Sequence, residues 1–171
     1  MNSKENEIIE YIQEITDVKL ANTGNLNGSN DSRLGFLQMV SVLSGYGLYD
    51  GYEIKTNLHK YMILIDNAQS CCESWGYICS DDNIDTFIGK TLIEVTLTDT
   101  ALNMQKIKEV GLTSYEDDTS IDCYGGGIQF IDLRFTDGSI LQFAVYNAHN
   151  GYYGHNIIVA IDQDIICQDT L

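Results

Sequence analysis

Two short stretches hold most of the side chains that could do chemistry. "SCCESWGY" (70–77) supplies Cys71, Cys72, Glu73, Trp75 and Tyr77. "NAHNGYYGH" (147–155) supplies Asn147, His149, Asn150, Tyr152, Tyr153 and His155. By residue type, the two cysteines, Glu73 and the two histidines are zinc ligands. Their spacing argues against a metal, because adjacent cysteines seldom chelate one ion and no C-x-x-C is present. A thiolate at Cys71 or Cys72 with His149 as base would make a nucleophile. However, no helix start or protease signature surrounds the pair. A strained disulfide between Cys71 and Cys72 would be labile, and a reducing compartment favours two thiols. The expectation is therefore packed thiols, with no catalytic residue, metal or cofactor.

Binding is the better use of these residues. Trp75, Tyr77, Tyr146, Tyr152 and Tyr153 offer aromatic faces with polar tips. Glu73, Asn147, Asn150, His149 and His155 offer directional hydrogen bonds. Such a mixture describes a small-molecule pocket or a protein-interface hot spot. The competing structural reading is an aromatic cluster that locks a hairpin to its sheet, with the amides capping turns. "CYGGGIQF" (123–130) is no phosphate loop, since no lysine follows and a strand comes next. Its three glycines read as a flexible entry or a bulge.

The elements that must position these stretches follow from periodicity. Ser3 as N-cap, Glu5 and Glu7 in a first turn, and Ile8, Tyr11, Ile12 and Ile15 at helical spacing predict an amphipathic helix over about 4–17. "NTGNLNGSNDS" (22–32) reads as a polar linker. "RLGFLQMVSVLSGYGLY" (33–49) reads as a short helix over 34–43 ending before Gly45, with a strand as the alternative. From residue 50 the pattern turns to strands: 52–56, 61–66 and 91–100. Residues 103–110 are a helical turn or a strand end, and 113–126 a polar loop. "IQFIDLRF", "ILQFAVYN" and "YYGHNIIVAID" complete a three-strand meander. The segment 71–77 falls in a loop after a strand.

The meander's register follows from its apolar face. A two-residue turn at Asp137-Gly138 would set Leu133 against Gln142. A three-residue loop centred on Gly138 sets Phe135 against Leu141, Leu133 against Phe143 and Ile131 against Val145. The second choice buries one apolar face, the odd-numbered one, which carries Asn147 and His149 with it. Asn150-Gly151 then signals a type I′ hairpin that pairs His149 with Tyr152 and Tyr146 with His155. That hairpin puts the two histidines on opposite faces.

Composition bounds the rest. The chain has 171 residues, 44% of them hydrophobic, which suits one domain with an ordinary core. Five cysteines at irregular spacing do not make a disulfide framework. No secretory leader and no apolar run of membrane-spanning length are evident, so a cytoplasmic protein is expected. Nine basic against 25 acidic residues give a formal charge of −16, which repels nucleic acid. The charge is either for solubility or that of a phosphate mimic, and the short acidic clusters favour solubility.

"LIDNAQSCCESWGY", "FIGKTLIEVTLTDT" (87–100) and "LQFAVYNAHNGYYGH" (141–155), in that order, resemble an uncharacterised family found in phages and bacteria. It is a domain of unknown function with a Cys-Cys-Glu-x-Trp-Gly-Tyr stretch and an Asn-x-His-Asn-Gly-Tyr-Tyr-Gly-His stretch. The resemblance covers about residues 50–160. It implies a small phage- or prophage-type protein, transfers no activity, and implies that the two stretches share one functional surface. The reading is an α+β fold: a twisted antiparallel sheet of five to seven strands, or a partly closed barrel, packed by an N-terminal helical segment. Residues 1–49 would form that segment and its linker, and 50–171 a β-rich domain, together one compact unit. Function is read as non-enzymatic binding through Cys71, Cys72, Glu73, Trp75, Tyr77, Asn147, His149, Asn150, Tyr152, Tyr153 and His155. The alternatives are a metal- or thiol-dependent enzyme at the same place, or an acidic mimic inhibiting a DNA-binding host factor. The partner is a small molecule or a protein, with no nucleic acid and no membrane; oligomerisation stays open.

Overall fold

The computed structural model describes residues 5–19, 47–68, 72–151, 153–162 and 164–171. Nine strands form one antiparallel sheet. In chain order they are β1 (Glu7–Lys19), β2 (Leu48–Thr56), β3 (Lys60–Asp66), β4 (Glu73–Cys79), β5 (Thr91–Thr98), β6 (Gly127–Phe135), β7 (Ile140–His149), β8 (Asn156–Ile161) and β9 (Asp164–Thr170). Their spatial order is β4-β7-β6-β5-β1-β2-β3-β8-β9, with both ends open. One α-helix, α1 (Met104–Glu109), and a 3₁₀ turn at Ile84–Phe87 complete the described elements.

The α+β expectation is therefore overturned. Among the described residues the sheet has nine strands where five to seven were expected, it does not close into a barrel, and no N-terminal helix packs it. The segment read as a helix over 4–17 is β1. The helical spacing of Ile8, Tyr11, Ile12 and Ile15 does not hold: the strand buries Ile9 and Ile12, three apart, and leaves Ile8 and Tyr11 exposed. The structure produces that spacing with bulges: the register against β2 slips between Ile9 and Tyr11 and again between Ile15 and Val18. Each slip inserts one residue and shifts the alternation of faces. Ile9 and Ile12 both reach the main core, while Ile15 packs on the opposite face with Tyr49, Leu64 and Ile158. The proposed helix over 34–43 lies outside the described residues.

Strand β1 joins two halves of the sheet. It pairs with β2 along its length but with β5 only at Glu7–Leu92 and Ile8–Thr91. The apolar faces of the two halves share one core. Tyr52, Ile54, Ile63, Ile65, Ile157 and Val159 come from one half, and Ile131, Leu133, Phe135, Leu141, Phe143 and Val145 from the other. Tyr52 crosses the layer, its ring 4.6 Å from Phe143 and 5.2 Å from Tyr77. The outer face of β6 and β7 is covered by α1, whose Ile107 packs with Leu112, Phe130, Ala144 and Tyr146. Asn103 starts α1 by accepting the Gln105 amide on its side chain, 3.1 Å.

The β6–β7 hairpin has the expected apolar face but another register. Leu133 faces Leu141 and Ile131 faces Phe143, a slip of two residues from the expected pairs. A slip of two leaves every side chain on its face, so the apolar pattern could not resolve it. Turn chemistry decides. Gly138 donates to the Phe135 carbonyl and Phe135 to the Ser139 carbonyl, both at 3.0 Å. That makes a three-residue loop, 136–138, ending on Gly138 at φ +83°.

A greater departure follows. Strand β8 does not pair with β7: it lies between β3 and β9 in the other half. The segment 150–155 is a crossover between the two halves and not a type I′ hairpin tip, so the expected meander ends after two strands. Strand β7 is instead flanked by β6 and by β4, the segment read as a loop.

Burial along β1 predicts an ordering that a helix would not give. Ile9 is 1% exposed and Ile8 38%. Ile9→Ala is expected to cost about 2–5 kcal/mol and Ile8→Ala under about 1 kcal/mol in urea unfolding. The reverse order would fit the helical stripe.

Candidate functional site

Strand β4 lies antiparallel beside β7 and sets Glu73 opposite His149, Trp75 opposite Asn147 and Tyr77 opposite Val145. Cross-strand partners share a face. Two sequence segments read separately thus meet as neighbouring strands. Gly76 is part of the fit, since a Cβ there would lie 2.9 Å from the Tyr146 hydroxyl. Tyr146 thereby covers the glycine from its paired position.

The crossover is bolted over this pair. His155 is 2% exposed, and its Nδ1 lies 2.5 Å from the Asp66 carbonyl oxygen. A carbonyl only accepts, so Nδ1 carries a proton. The other ring nitrogen, Nε2, faces Glu73 Oε1 at 3.3 Å, and the Glu73 side chain is fully buried. The contact is attractive only if a proton also sits between Nε2 and Oε1. It is a buried contact from the edge strand to the crossover. Trp75 stacks on the same imidazole, centroids 5.1 Å apart and planes 26° from parallel.

Asn147 forms the second bolt. Wholly buried, it donates through Nδ2 to the carbonyls of Tyr153 (2.7 Å) and Leu171 (2.9 Å). Two carbonyl acceptors fix which end of the amide is nitrogen. Its Oδ1 is buried and makes no hydrogen bond to a described residue.

His149 forms the third. Its Nδ1 accepts the Gly151 amide at 2.8 Å and its carbonyl accepts the Gly125 amide at 2.8 Å. The neutral ring therefore carries its proton on Nε2. Because Glu73 pairs with His149 and reaches His155, both histidines look to the side of β4 on which Glu73 lies. The opposite-faces expectation fails with the hairpin that produced it. Even so, no three or more His, Cys, Asp or Glu side chains are gathered as a metal site would need, among the described residues.

The glycines of "CYGGG" are explained by contact. A Cβ on Gly126 would stand 2.0 Å from the Asn147 carbonyl oxygen, and one on Gly125 2.8 Å from the Gly151 nitrogen. The chain runs flush against the end of β7, which only glycine permits. This close approach carries Tyr124, absent from the sequence-derived candidates. Tyr124 bridges to His149 through its backbone, holds φ +55° and leaves 70% of its surface exposed. An aromatic directly before three glycines was the available signal. Asn150 is exposed and Tyr153 is 37% exposed on the same crossover.

Other candidates divide. Tyr77 points toward the far end of β4, where it packs on Tyr52. Cys72 is exposed at φ +65°, and Cys71 and Tyr152 lie outside the described residues. Burial pushes the Cys79 thiol up to about 11 and raises those of Cys123 and Cys167, so these three stay protonated at neutral pH.

The profile of a domain of unknown function (DUF7448) matches residues 40–159. The matched span contains both the 71–77 and the 147–155 stretches. "Uncharacterized protein L278" of Acanthamoeba polyphaga mimivirus is 27% identical over 95 residues, 55% of this chain and 64% of that protein. The match thus spans somewhat less than two thirds of that viral relative's length. No solved structure matches the chain. Among the described residues no helix is long and apolar enough to cross a membrane.

The bolts predict unequal histidines. His149→Ala is expected to cost about 1–2 kcal/mol, since it strands the Gly151 amide and leaves a gap beside Gly126. His59→Ala, which removes an exposed 2.8 Å pair with Asp162, should leave urea unfolding nearly unchanged. Gly126→Ala should lower the melting temperature sharply, while Gly47→Ala, with open space around it, should not.

Proposed function

From the premise that the chain belongs to the DUF7448 family of unknown function, we propose that it is a non-enzymatic binding protein whose recognition surface lies at the end of β7. The surface comprises Tyr124, Asn150 and Tyr153, set over the bolts made by Asn147, His149, Glu73 and His155. The observation that carries this reading is Tyr124: a left-handed, non-glycine backbone presents a large aromatic ring to solvent. Such a conformation persists only when its surroundings enforce it, and strained residues of this kind cluster at functional positions.

The division of labour supports binding over catalysis. The polar groups nearest the core bond to one another or to backbone, which rigidifies the base. The exposed aromatics above it have amphipathic faces suited to a ligand or a protein partner. No catalytic role is assigned to the thiols that burial keeps protonated.

Native mass spectrometry of the protein purified without denaturant or chelator tests this reading. A species bound to the wild type, lost from a folded Tyr124→Ala/Asn150→Ala/Tyr153→Ala variant, is the expected result. All three side chains are exposed, so the variant should unfold in urea close to the wild type. No bound species, or one indifferent to the triple substitution, would overturn the proposal.

A further inference from the structure

A cleft of about 280 Å³ opens at the other end of β4, away from the crossover, and its argument is independent of the surface around Tyr124. Tyr52 and Tyr77 meet edge to face within it, rings 5.2 Å apart and 87° from parallel, and Cys79 lines it beside them. Tyr52 is only 4% exposed. Buried phenols normally find a partner, yet the Tyr52 hydroxyl makes no hydrogen bond to a described residue. Burial raises its pKa, and the nearby Glu14 carboxylate adds to the rise. Tyr52 lines the cleft beside Tyr77 and Cys79, and although the residue is buried its unbonded hydroxyl oxygen is not wholly enclosed, so it opens into that space.

The rim has the opposite character to this neutral floor. Glu14, Asp81, Asp82 and Glu109 set four carboxylates there against the single ammonium of Lys106. That ammonium is already held by Asp82 and, at 3.6 Å, by Glu109. Glu14 is the direct cross-strand partner of Tyr52, which sets the two side chains on one face of the sheet, and both line the cleft. The Glu14 carboxylate forms no ion pair or hydrogen bond with a described residue.

Aromatic rings beneath a surplus of carboxylates attract an organic cation, through the ring faces and by charge. A bare metal ion fits poorly, because no three ligating side chains converge among the described residues. The volume falls just below the range of about 300–1,000 Å³ that takes drug-sized molecules, so the ligand is small. We propose that this cleft binds a small aliphatic diamine. One ammonium donates to the Tyr52 hydroxyl and Glu14 against the tyrosine rings; the other sits among the rim carboxylates near Asp81.

Calorimetric titration of the whole chain with 1,4-diaminobutane, at fixed ionic strength, tests the assignment, with butane-1,4-diol as the uncharged analogue. Saturable binding of one diamine per chain is expected, with no binding of the diol. Affinity should fall tenfold or more in Glu14→Gln and in Tyr52→Phe. Glu14 is exposed and Phe keeps the Tyr52 ring, so both variants retain the fold, which their thermal melts would verify. No saturable binding, or binding undiminished in either variant as diffuse attraction to a chain of charge −16 would give, would overturn it.

Discussion

Two residue pairs, Glu7–Leu92 and Ile8–Thr91, make the whole β1–β5 ladder that joins the halves of this sheet. A ladder that short cannot fix how the halves lie. The apolar layer between them must do so, with each fully buried large side chain contributing about 1.5–3 kcal/mol. Tyr52 is central to it, touching Phe143 and Tyr77 of the other half. The open sheet therefore owes its folded-over form to burial more than to backbone hydrogen bonding.

Crossing between the halves creates the second demand. Once β7 has finished in one half, the chain must reach β8 in the other. Buried backbone without partners is costly. Asn147, His149 and His155 meet that cost from their side chains, and Glu73 answers His155 from the edge strand. The polar density of the 147–155 stretch is thus largely structural. The part turned outward, Tyr124, Asn150 and Tyr153, is the surface proposed for recognition.

The two proposed sites lie near opposite ends of β4. Side chains two apart on one face of a strand serve different purposes because the neighbours differ. Trp75 meets a histidine from the crossover, whereas Tyr77 meets a tyrosine from β2. A strand at the edge of a sheet is well placed for this, since only one of its sides is committed to a neighbour.

By itself the sequence determined the β-rich character from residue 50, most strand positions, the odd-numbered apolar face of β6 and β7, and the candidate side chains. Alternation and β-branched composition are local signals, and local sterics enforce them. The sequence also marked 70–77 and 147–155 as related, but through resemblance and not through spacing. Only the tertiary structure decided the rest. The bulges of β1 turned a three-residue spacing into a strand. The two-residue slip of β6 against β7 kept every face and was settled by the turn at Gly138. The Asn150-Gly151 signal was overruled because β8 completes the other half of the sheet, beside β3 and β9. Strand β4 escaped notice because its partner, β7, lies some 70 residues away, and Gly76 reads as a strand breaker until Tyr146 is seen to cover it. Pairing between distant segments is set by which apolar faces can be buried together, and no window of local sequence contains that information.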